Sequence, residues 1–202
     1  MSLRIKEKYV KLTEINKSKF YAIIAPIESV EEAKSILVEI KKEYPKATHY
    51  CYAYIVDGKE KSNDDGEPSG TAGRPILEFL KNKELENILC IVVRYFGGIK
   101  LGASGLIRAY VDSSKNVFDI AKIYRIEEQE LFDIVTSYSL FQIVKNYLDK
   151  ANGNIVNVSY EEEVIITYSC IYLNLNNLKN ITNGNVKIIS KGFQKVYSIV
   201  ES

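Results

Sequence analysis

The stretch NILCIVVRYFGGIKLGASGLIRAY, Asn87–Tyr110, joins an almost unbroken apolar run to a glycine-rich turn and then to a helical pattern. Because the apolar run lacks polar alternation, we expect a strand that is buried on both faces. Gly97 and Gly98 end this strand, and the residues after them predict a long helix. We expect the side chain of Arg94, near the end of the strand, to emerge at the sheet edge beside the two glycines.

The residues on the N-terminal side of this stretch alternate between strand and helix patterns. Behind Ser29, apolar residues recur at helical spacing, and we expect this serine to cap the helix. Tyrosines then alternate with smaller side chains, which is typical of a strand with two different faces. The predicted elements are a hairpin at 8–12 and 18–26, a helix at 29–43, a strand at 48–56 and a short helix at about 71–80.

The second half of the chain predicts the order β-α-β-β-α-β, which is that of a ferredoxin-like sandwich. Its last apolar pattern, residues 185–200, fits either one strand or a hairpin. Helix signals stop and charged residues become frequent near residues 123–128, where we place the domain boundary. The predicted fold class is therefore α+β, with one domain at 1–124 and a second domain at 125–202.

The composition of the 202 residues, 46% hydrophobic and 26% charged, is ordinary for a globular protein. No apolar run approaches the roughly 20 residues of a membrane span, and the N-terminus lacks the apolar segment of a secretory signal. Three widely separated cysteines, Cys51, Cys90 and Cys170, fit reduced thiols. We therefore predict a cytoplasmic protein that does not bind membranes.

The charge of the chain differs in sign between its two halves. Residues 1–124 contain 20 Lys and Arg against 17 Asp and Glu, a net charge of +3. Residues 125–202 contain 7 against 9, a net charge of −2. An anion-binding surface is therefore expected on the first half.

The stretch SNDDGEPSGTAGRPILEF, Ser62–Phe79, contains three carboxylates ahead of the short helix. A calcium loop centred on Gly66 fails, because Lys61 and Ala72 would occupy two positions that require oxygen ligands. Two interpretations stay open. The carboxylates of this loop could form a looser magnesium site, or its two aspartates could accept backbone N–H groups in a solvated turn.

The single histidine, His49, lies two residues from Cys51 on a predicted strand, so both side chains share a face. Such neighbours stand about 6.5–7 Å apart, which disfavours a nucleophilic Cys–His pair. We expect His49 to have a structural or surface-binding role and to bond to the acidic loop. On the opposite face, the tyrosine stripe of Tyr50, Tyr52 and Tyr54 fits either a base-stacking surface or, as we favour, core packing under a helix.

The two glycine clusters fit neither a P-loop nor the GxGxxG pattern. However, PSGTAG and GASG each place small residues where a helix should begin, and the free N–H groups there favour anions. Nearby cations would neutralise phosphates while the glycines let the backbone come close. The predicted phosphate or nucleic-acid site comprises Arg74, Arg94, Gly97, Gly98, Lys100, Gly102, Gly105 and Arg108. The supporting or alternative site comprises His49, Asp64, Asp65, Glu67, Ser69 and Thr71.

The same pattern has a second interpretation, in which the glycines only permit tight turns and the cations are solvated. Arg108 could in that case pair with Asp112 one helical turn away, which stabilises by only about 0.3–0.5 kcal/mol. A pair of this strength would not hold the arginine away from a phosphate.

The segments DDGEPSGTAGRPIL and VVRYFGGIKLGASGLIRAY together closely resemble the signature of the IMPACT family, which includes the bacterial YigZ-type proteins. The resemblance is strong over residues 1–124, and His49 also fits the family pattern. It implies a first domain with the β-α-β sandwich of domain IV of elongation factor G. It implies a second domain similar to the ferredoxin-like domain V of that factor. It implies no catalytic activity and no cofactor.

The eukaryotic namesake of the family regulates translation through a stress kinase and carries an extra N-terminal partner-binding domain. We expect that domain to be missing here, because the first strand begins at residue 8, so the kinase role is not transferred. Bacterial members look like nucleic-acid or ribosome binders. We therefore predict a non-catalytic protein that binds RNA or the ribosome and modulates translation. A protein partner is a further candidate, and the sequence does not indicate the oligomeric state. The alternative is a metal-assisted phosphate-handling hydrolase that uses Asp64, Asp65 and Glu67.

Overall fold

The computed structural model describes residues 2–200, which form two compact units. The described residues up to Arg125, together with Ile199 and Val200, form the first unit, and Ile126–Ser198 form the second. The terminal residues 1, 201 and 202 of the predicted domains lie outside this range. In chain order the elements are β1 (Ser2–Arg4), β2 (Tyr9–Ile15), β3 (Ser18–Pro26), α1 (Val30–Glu43), β4 (His49–Val56), β5 (Lys59–Asn63), α2 (Gly73–Asn82), β6 (Ile88–Tyr95), α3 (Gly102–Phe118), β7 (Tyr124–Thr136), α4 (Tyr138–Lys150), β8 (Gly153–Tyr160), β9 (Val164–Cys170), α5 (Leu175–Ile181) and β10 (Val186–Ile199).

The first unit is built on a five-stranded sheet in the order β2-β3-β6-β4-β5, in which every neighbouring pair is antiparallel. The central strand β6 is buried from Ile88 to Arg94, which confirms the predicted burial on both faces. On one face Cys90 and Val92 pack with residues of α2 and α3. On the other face Ile91 and its alternating neighbours pack with residues of α1.

Several predicted elements of this unit are confirmed. The hairpin is β2 and β3, and Ser29 Oγ accepts a hydrogen bond from the Glu32 amide over 3.1 Å at the start of α1. The structure also contains β5, which the sequence did not predict. Asp57 and Gly58, with φ of +48° and +69°, turn the chain from β4 into this short polar strand.

The second unit has the order β7-α4-β8-β9-α5-β10, which confirms the predicted sequence of elements. Within it the strands lie in the order β10-β7-β9-β8. Val144 and Leu148 of α4 and Leu178 of α5 are buried in the same core cluster as alternating residues of β7 and β9. The last apolar pattern forms one strand and not a hairpin.

The first unit uses residues from both ends of the chain. The amide of Val200 donates a hydrogen bond to the carbonyl oxygen of Ile123 over 2.9 Å. The separate folding of residues 1–124 stays a prediction, and this contact is one that a shortened chain would lack. Among residues 2–200, no helix combines the length and the apolar character that crossing a bilayer requires.

Candidate functional site

The acidic loop between β5 and α2 is organised around the carboxylate of Asp64. Its Oδ1 accepts hydrogen bonds from the amides of Ala72 over 3.0 Å and Gly73 over 2.8 Å, and its Oδ2 accepts one from the amide of Gly70 over 2.8 Å. These amides lie at the start of α2, where N–H groups lack partners within the helix. The Asp64 carboxylate therefore lies where an anion would bind at the N-terminus of α2. The prediction that the N–H groups of this helix terminus are free for a phosphate is wrong.

The neighbouring Asp65 attaches the loop to the start of β4. Its Oδ2 accepts a hydrogen bond from the Tyr50 amide over 2.7 Å. The Asp65 carbonyl oxygen lies 2.8 Å from His49 Nδ1, so the predicted bond between the histidine and the acidic loop is confirmed. Asp65 and Gly66 both have positive φ, +44° and +86°, which lets the chain turn tightly above the imidazole.

Glu67 is the third carboxylate of the loop, and it is buried. Its Oε1 accepts hydrogen bonds from Arg94 Nη1 over 2.6 Å and from the Tyr110 hydroxyl over 2.8 Å. The His49 Nε2 atom lies 3.8 Å from the same oxygen. The side chains of Glu67 and Arg94 are only 4% and 5% exposed, so the loop is joined to β6 and α3 by contacts that water hardly reaches.

The three carboxylates do not form a metal site. Each one is already bound to a different partner within the protein: backbone amides, the Tyr50 amide or Arg94. Across residues 2–200, no group of three or more His, Cys, Asp or Glu side chains is arranged to hold a metal ion. The two aspartates accept backbone N–H groups as predicted, but they are half-buried and Glu67 is buried, so the predicted solvated turn is wrong. Nothing in this arrangement supports the hydrolase alternative.

Arg94 does not emerge at the sheet edge, so that prediction is wrong. Its residue exposure is 4%, and besides the bond to Glu67 its Nη2 lies 3.4 Å from Ser18 Oγ. Arg94 shares a sheet face with Cys90 and Val92, two core residues. The sequence shows this alternation, but it does not show that the carboxylate of Glu67 would compensate the buried charge of Arg94.

The thiol of Cys51 extends the same buried cluster. Its Sγ lies 2.9 Å from the Asp64 carbonyl oxygen and 3.3 Å from the Tyr110 hydroxyl. Burial raises the pKa of Cys51 to about 12, and burial also raises the pKa of Tyr110. Both groups stay protonated at neutral pH, and a thiol in this state is no nucleophile.

The tyrosine stripe of β4 belongs to the core of the first unit. Tyr54 is buried, Tyr50 and Tyr52 are partly buried, and all three pack in the cluster that contains residues of α1. The Tyr50 hydroxyl donates to the carbonyl oxygen of Tyr44 over 2.6 Å. The core-packing interpretation is confirmed, and these rings are not a base-stacking surface.

The second glycine cluster forms the loop from β6 to α3. Gly97 lies so close to the backbone of Lys17 and Ser18 that a Cβ atom there would overlap it. Gly98 and Gly102 have φ of +85° and +71°, a region that favours glycine. These glycines are therefore explained by the backbone conformation of the loop. Gly105, inside α3, is half-buried with φ outside that region.

Unlike the N-terminus of α2, the N-terminus of α3 receives no side-chain cap from any of the residues that the structure describes. Leu101 is the N-cap residue, and Gly102, Ala103 and Ser104 are exposed in the first turn. The residues of this turn are therefore open to solvent at the positive end of the helix dipole, where N–H groups lack partners within the helix. Of the two helix starts that the sequence suggested as anion sites, this one remains available.

Three of the four predicted cations are exposed: Arg74, Lys100 and Arg108. Within the described chain, none of them makes a side-chain hydrogen bond or an ion pair, so Arg108 does not pair with Asp112. Lys100 lies in the loop before α3, and Arg74 lines a groove of about 390 Å³ together with Ile107 of α3. Ser69 is exposed, whereas Thr71 is buried and its hydroxyl donates a hydrogen bond to the Pro68 carbonyl oxygen over 2.6 Å.

Comparison with known proteins gives consistent matches. The model of the Impact N-terminal domain matches residues 16–118. IMPACT family member YvyE of Bacillus subtilis is 40% identical over 156 residues, which cover 74% of this chain and 70% of that protein. IMPACT family member YigZ of Escherichia coli is 32% identical over 158 residues, which cover 76% and 78%. A crystal structure of an hypothetical protein matches 93% of this chain and 96% of its own, with a TM-score of 0.61 and 26% identity. The chain therefore belongs to the IMPACT family.

Proposed function

We propose that this protein binds RNA, either free or on the ribosome, and modulates translation without catalysing a reaction. The observation that carries the proposal is the surface at the start of α3. Lys100 lies in the loop just before Gly102, where α3 begins, and Arg108 lies on the second turn of this helix. The described residues supply neither a side-chain cap to the helix nor a partner to either exposed cation. Exposed N–H groups and cations together are what a phosphate group requires. We call this surface, Lys100–Gly105 with Arg108, the α3 cationic surface.

Arg94 has a different role in this proposal from the one first predicted for it. Its charge is neutralised by Glu67 and its side chain is buried. In this proposal Arg94 stabilises the loop from β6 to α3 from the protein interior and does not contact phosphate. Arg74 is exposed on the first turn of α2 and supplies a further cation to the first unit.

Membership of the IMPACT family supports a role in translation through the resemblance described above. That resemblance implies likeness of the two domains to domains IV and V of elongation factor G. The bacterial members of the family look like nucleic-acid or ribosome binders. The β-α-β-β-α-β order of the second unit fits the domain V analogy. A location in the cytoplasm, where translation takes place, also remains part of the proposal.

Cosedimentation with purified ribosomal subunits and with free ribosomal RNA tests this function. The parent chain should sediment with one of them at low salt. The double variant Lys100→Glu/Arg108→Glu should not, because it reverses the charge of the α3 cationic surface. Loss of binding should be partial when only one of the two cations is changed.

A matched control uses the same charge change on another helix. Lys34 and Lys42 are exposed on α1, which packs on the sheet face opposite to α3. Lys34→Glu/Lys42→Glu should sediment like the parent chain. If both double variants lose binding equally, the interaction is non-specific charge attraction, and the α3 cationic surface is not the site.

A further inference from the structure

Phe96 is a large exposed aromatic side chain in the loop that leads to α3, a few residues before Lys100 of the α3 cationic surface. It follows β6 directly, and 47% of the residue is accessible to solvent. It belongs to none of the three apolar clusters formed by the described residues. Core packing therefore does not explain an aromatic ring at this position.

A buried cation lies against the ring of Phe96. The Cζ atom of Arg94 is 5.4 Å from the centroid of Phe96 and 5.3 Å from that of Phe20, within the range of cation–π contacts. Glu67 fixes the guanidinium through its 2.6 Å bond. Because Arg94 itself is buried, the exposed part of the Phe96 ring is the part turned away from it.

The backbone under the ring is also fixed. The Phe96 amide donates to Thr48 Oγ1 over 3.0 Å, and the Gly97 amide donates to Ser18 Oγ over 3.1 Å. Gly97 additionally lies directly against the backbone of Lys17. An aromatic ring that is held in place before binding loses little conformational entropy when a ligand packs on it.

We propose that Phe96 stacks on an unpaired base of single-stranded RNA while the α3 cationic surface holds the adjoining phosphates. The inference rests on the proposed function and names the class of RNA that the site takes. Single-strand binding combines cations that follow the backbone with aromatic rings that stack on bases. Both parts occur here within one loop and the helix that follows it.

Charge favours RNA over a protein as the occupant of this surface. Lys100 and Arg108 are exposed without partners in the described structure, and the first 124 residues carry a net charge of +3. Two unpartnered cations near an exposed ring match a ligand that carries a negative charge beside each aromatic group, and each nucleotide of a single strand supplies one such charge beside its base.

Fluorescence provides a direct test because the chain contains no tryptophan. Phe96→Trp introduces one indole at the proposed stacking position. The indole is excited at a wavelength where tyrosine does not absorb. Adding an oligoadenylate of about ten nucleotides should quench the indole emission. An abasic strand of the same length has the phosphates without the bases, so it should leave the emission unchanged.

Affinity provides the second test. Phe96→Leu keeps an apolar side chain but removes the ring, so it should weaken oligoadenylate binding by roughly 5- to 150-fold, the range for one stacked base. Binding of the abasic strand should stay as in the parent chain. Phe193→Leu in the second unit is the matched control, because Phe193 is 69% exposed, and this variant should bind like the parent chain.

The outcomes separate this inference from the proposed function. If the parent chain binds oligoadenylate and Phe96→Leu binds it equally well, the inference is wrong and the proposed function stands. If the parent chain binds neither the oligonucleotide nor ribosomal subunits, both fail. If Phe96→Leu leaves RNA binding unchanged but abolishes a complex with another protein, Phe96 is a protein anchor and the inference is overturned.

Discussion

Glu67 Oε1 lies 2.6 Å from Arg94 Nη1, and the two side chains are 4% and 5% exposed. The pair joins the acidic loop before α2 to the end of β6. Removing one partner of a buried ion pair leaves the other charge uncompensated in a site that water does not reach. The stability of both glycine-rich loops therefore depends on this contact more than on any of the exposed ion pairs.

Glu67→Ala should lower the free energy of unfolding by about 3–5 kcal/mol, because it leaves the Arg94 charge buried without a counterion. Urea denaturation measures this change. Glu60→Ala is the control: Glu60 pairs with Lys81 over 3.0 Å, with side chains that are 39% and 43% exposed. Loss of that exposed pair should cost less than about 1 kcal/mol. An equal loss in the free energy of unfolding for the two variants would show that the buried pair stabilises the protein no more than the exposed pair does.

Asp64→Ala should lower the free energy of unfolding by about 2 kcal/mol, because three backbone amides lose a charged acceptor. Hydrogen exchange should also accelerate at the amides of Gly70, Ala72 and Gly73, which Asp64 now protects. Asp57→Asn removes the same charge from an exposed turn and should change stability by less than about 0.5 kcal/mol. Unchanged exchange at the three amides in Asp64→Ala would contradict the capping role.

The cysteines should be unreactive towards iodoacetamide in the folded protein at about pH 8. Burial raises the pKa of Cys51 and Cys90 to about 12, and burial also raises that of Cys170. A raised thiol pKa means that the reactive thiolate is scarce until the pH approaches that value. In urea all three should react at the rate of a free thiol. Fast labelling of Cys51 in the folded state would show that its surroundings stabilise the thiolate.

The central architecture follows from local patterns, and for this reason the sequence predicted it. Seven consecutive residues of β6 are buried because helices cover both faces of the sheet. An unbroken apolar run in the sequence predicts such a strand. The strand β5 was missed because KEKSN is polar throughout and has no apolar alternation. The turn Asp57-Gly58 was the available signal for it, since Asp-Gly pairs favour tight hairpins.

The candidate site was harder to predict because its contacts join distant residues. Arg94 is separated by 27 positions from Glu67, and no local pattern pairs them. Asp64 caps amides six to nine residues later, beyond the spacing of two or three that identifies an ordinary N-cap. Phe96 was overlooked because its exposure depends on how the loop turns after Gly97, which is a property of the folded chain.

A chain shortened to residues 1–124 should fold and unfold cooperatively, because the sheet of the first unit and its three helices lie within this range. Thermal unfolding followed by circular dichroism tests this. The loss of the Val200–Ile123 hydrogen bond should lower the melting temperature but leave the transition cooperative. A shortened chain that aggregates or lacks a cooperative transition would show that the boundary is misplaced.

The salt dependence of RNA binding tests the α3 cationic surface most directly. The two cations of this surface, Lys100 and Arg108, and Arg74 of α2 outside it are exposed without partners among residues 2–200. A single strand that meets all three should give a slope of log K against log salt of roughly −2. Fluorescence anisotropy with a labelled oligoadenylate measures this slope. Lys100→Glu/Arg108→Glu should abolish binding and the slope while its melting temperature stays that of the parent chain. If this variant binds with the affinity and the slope of the parent chain, the α3 cationic surface does not bind RNA.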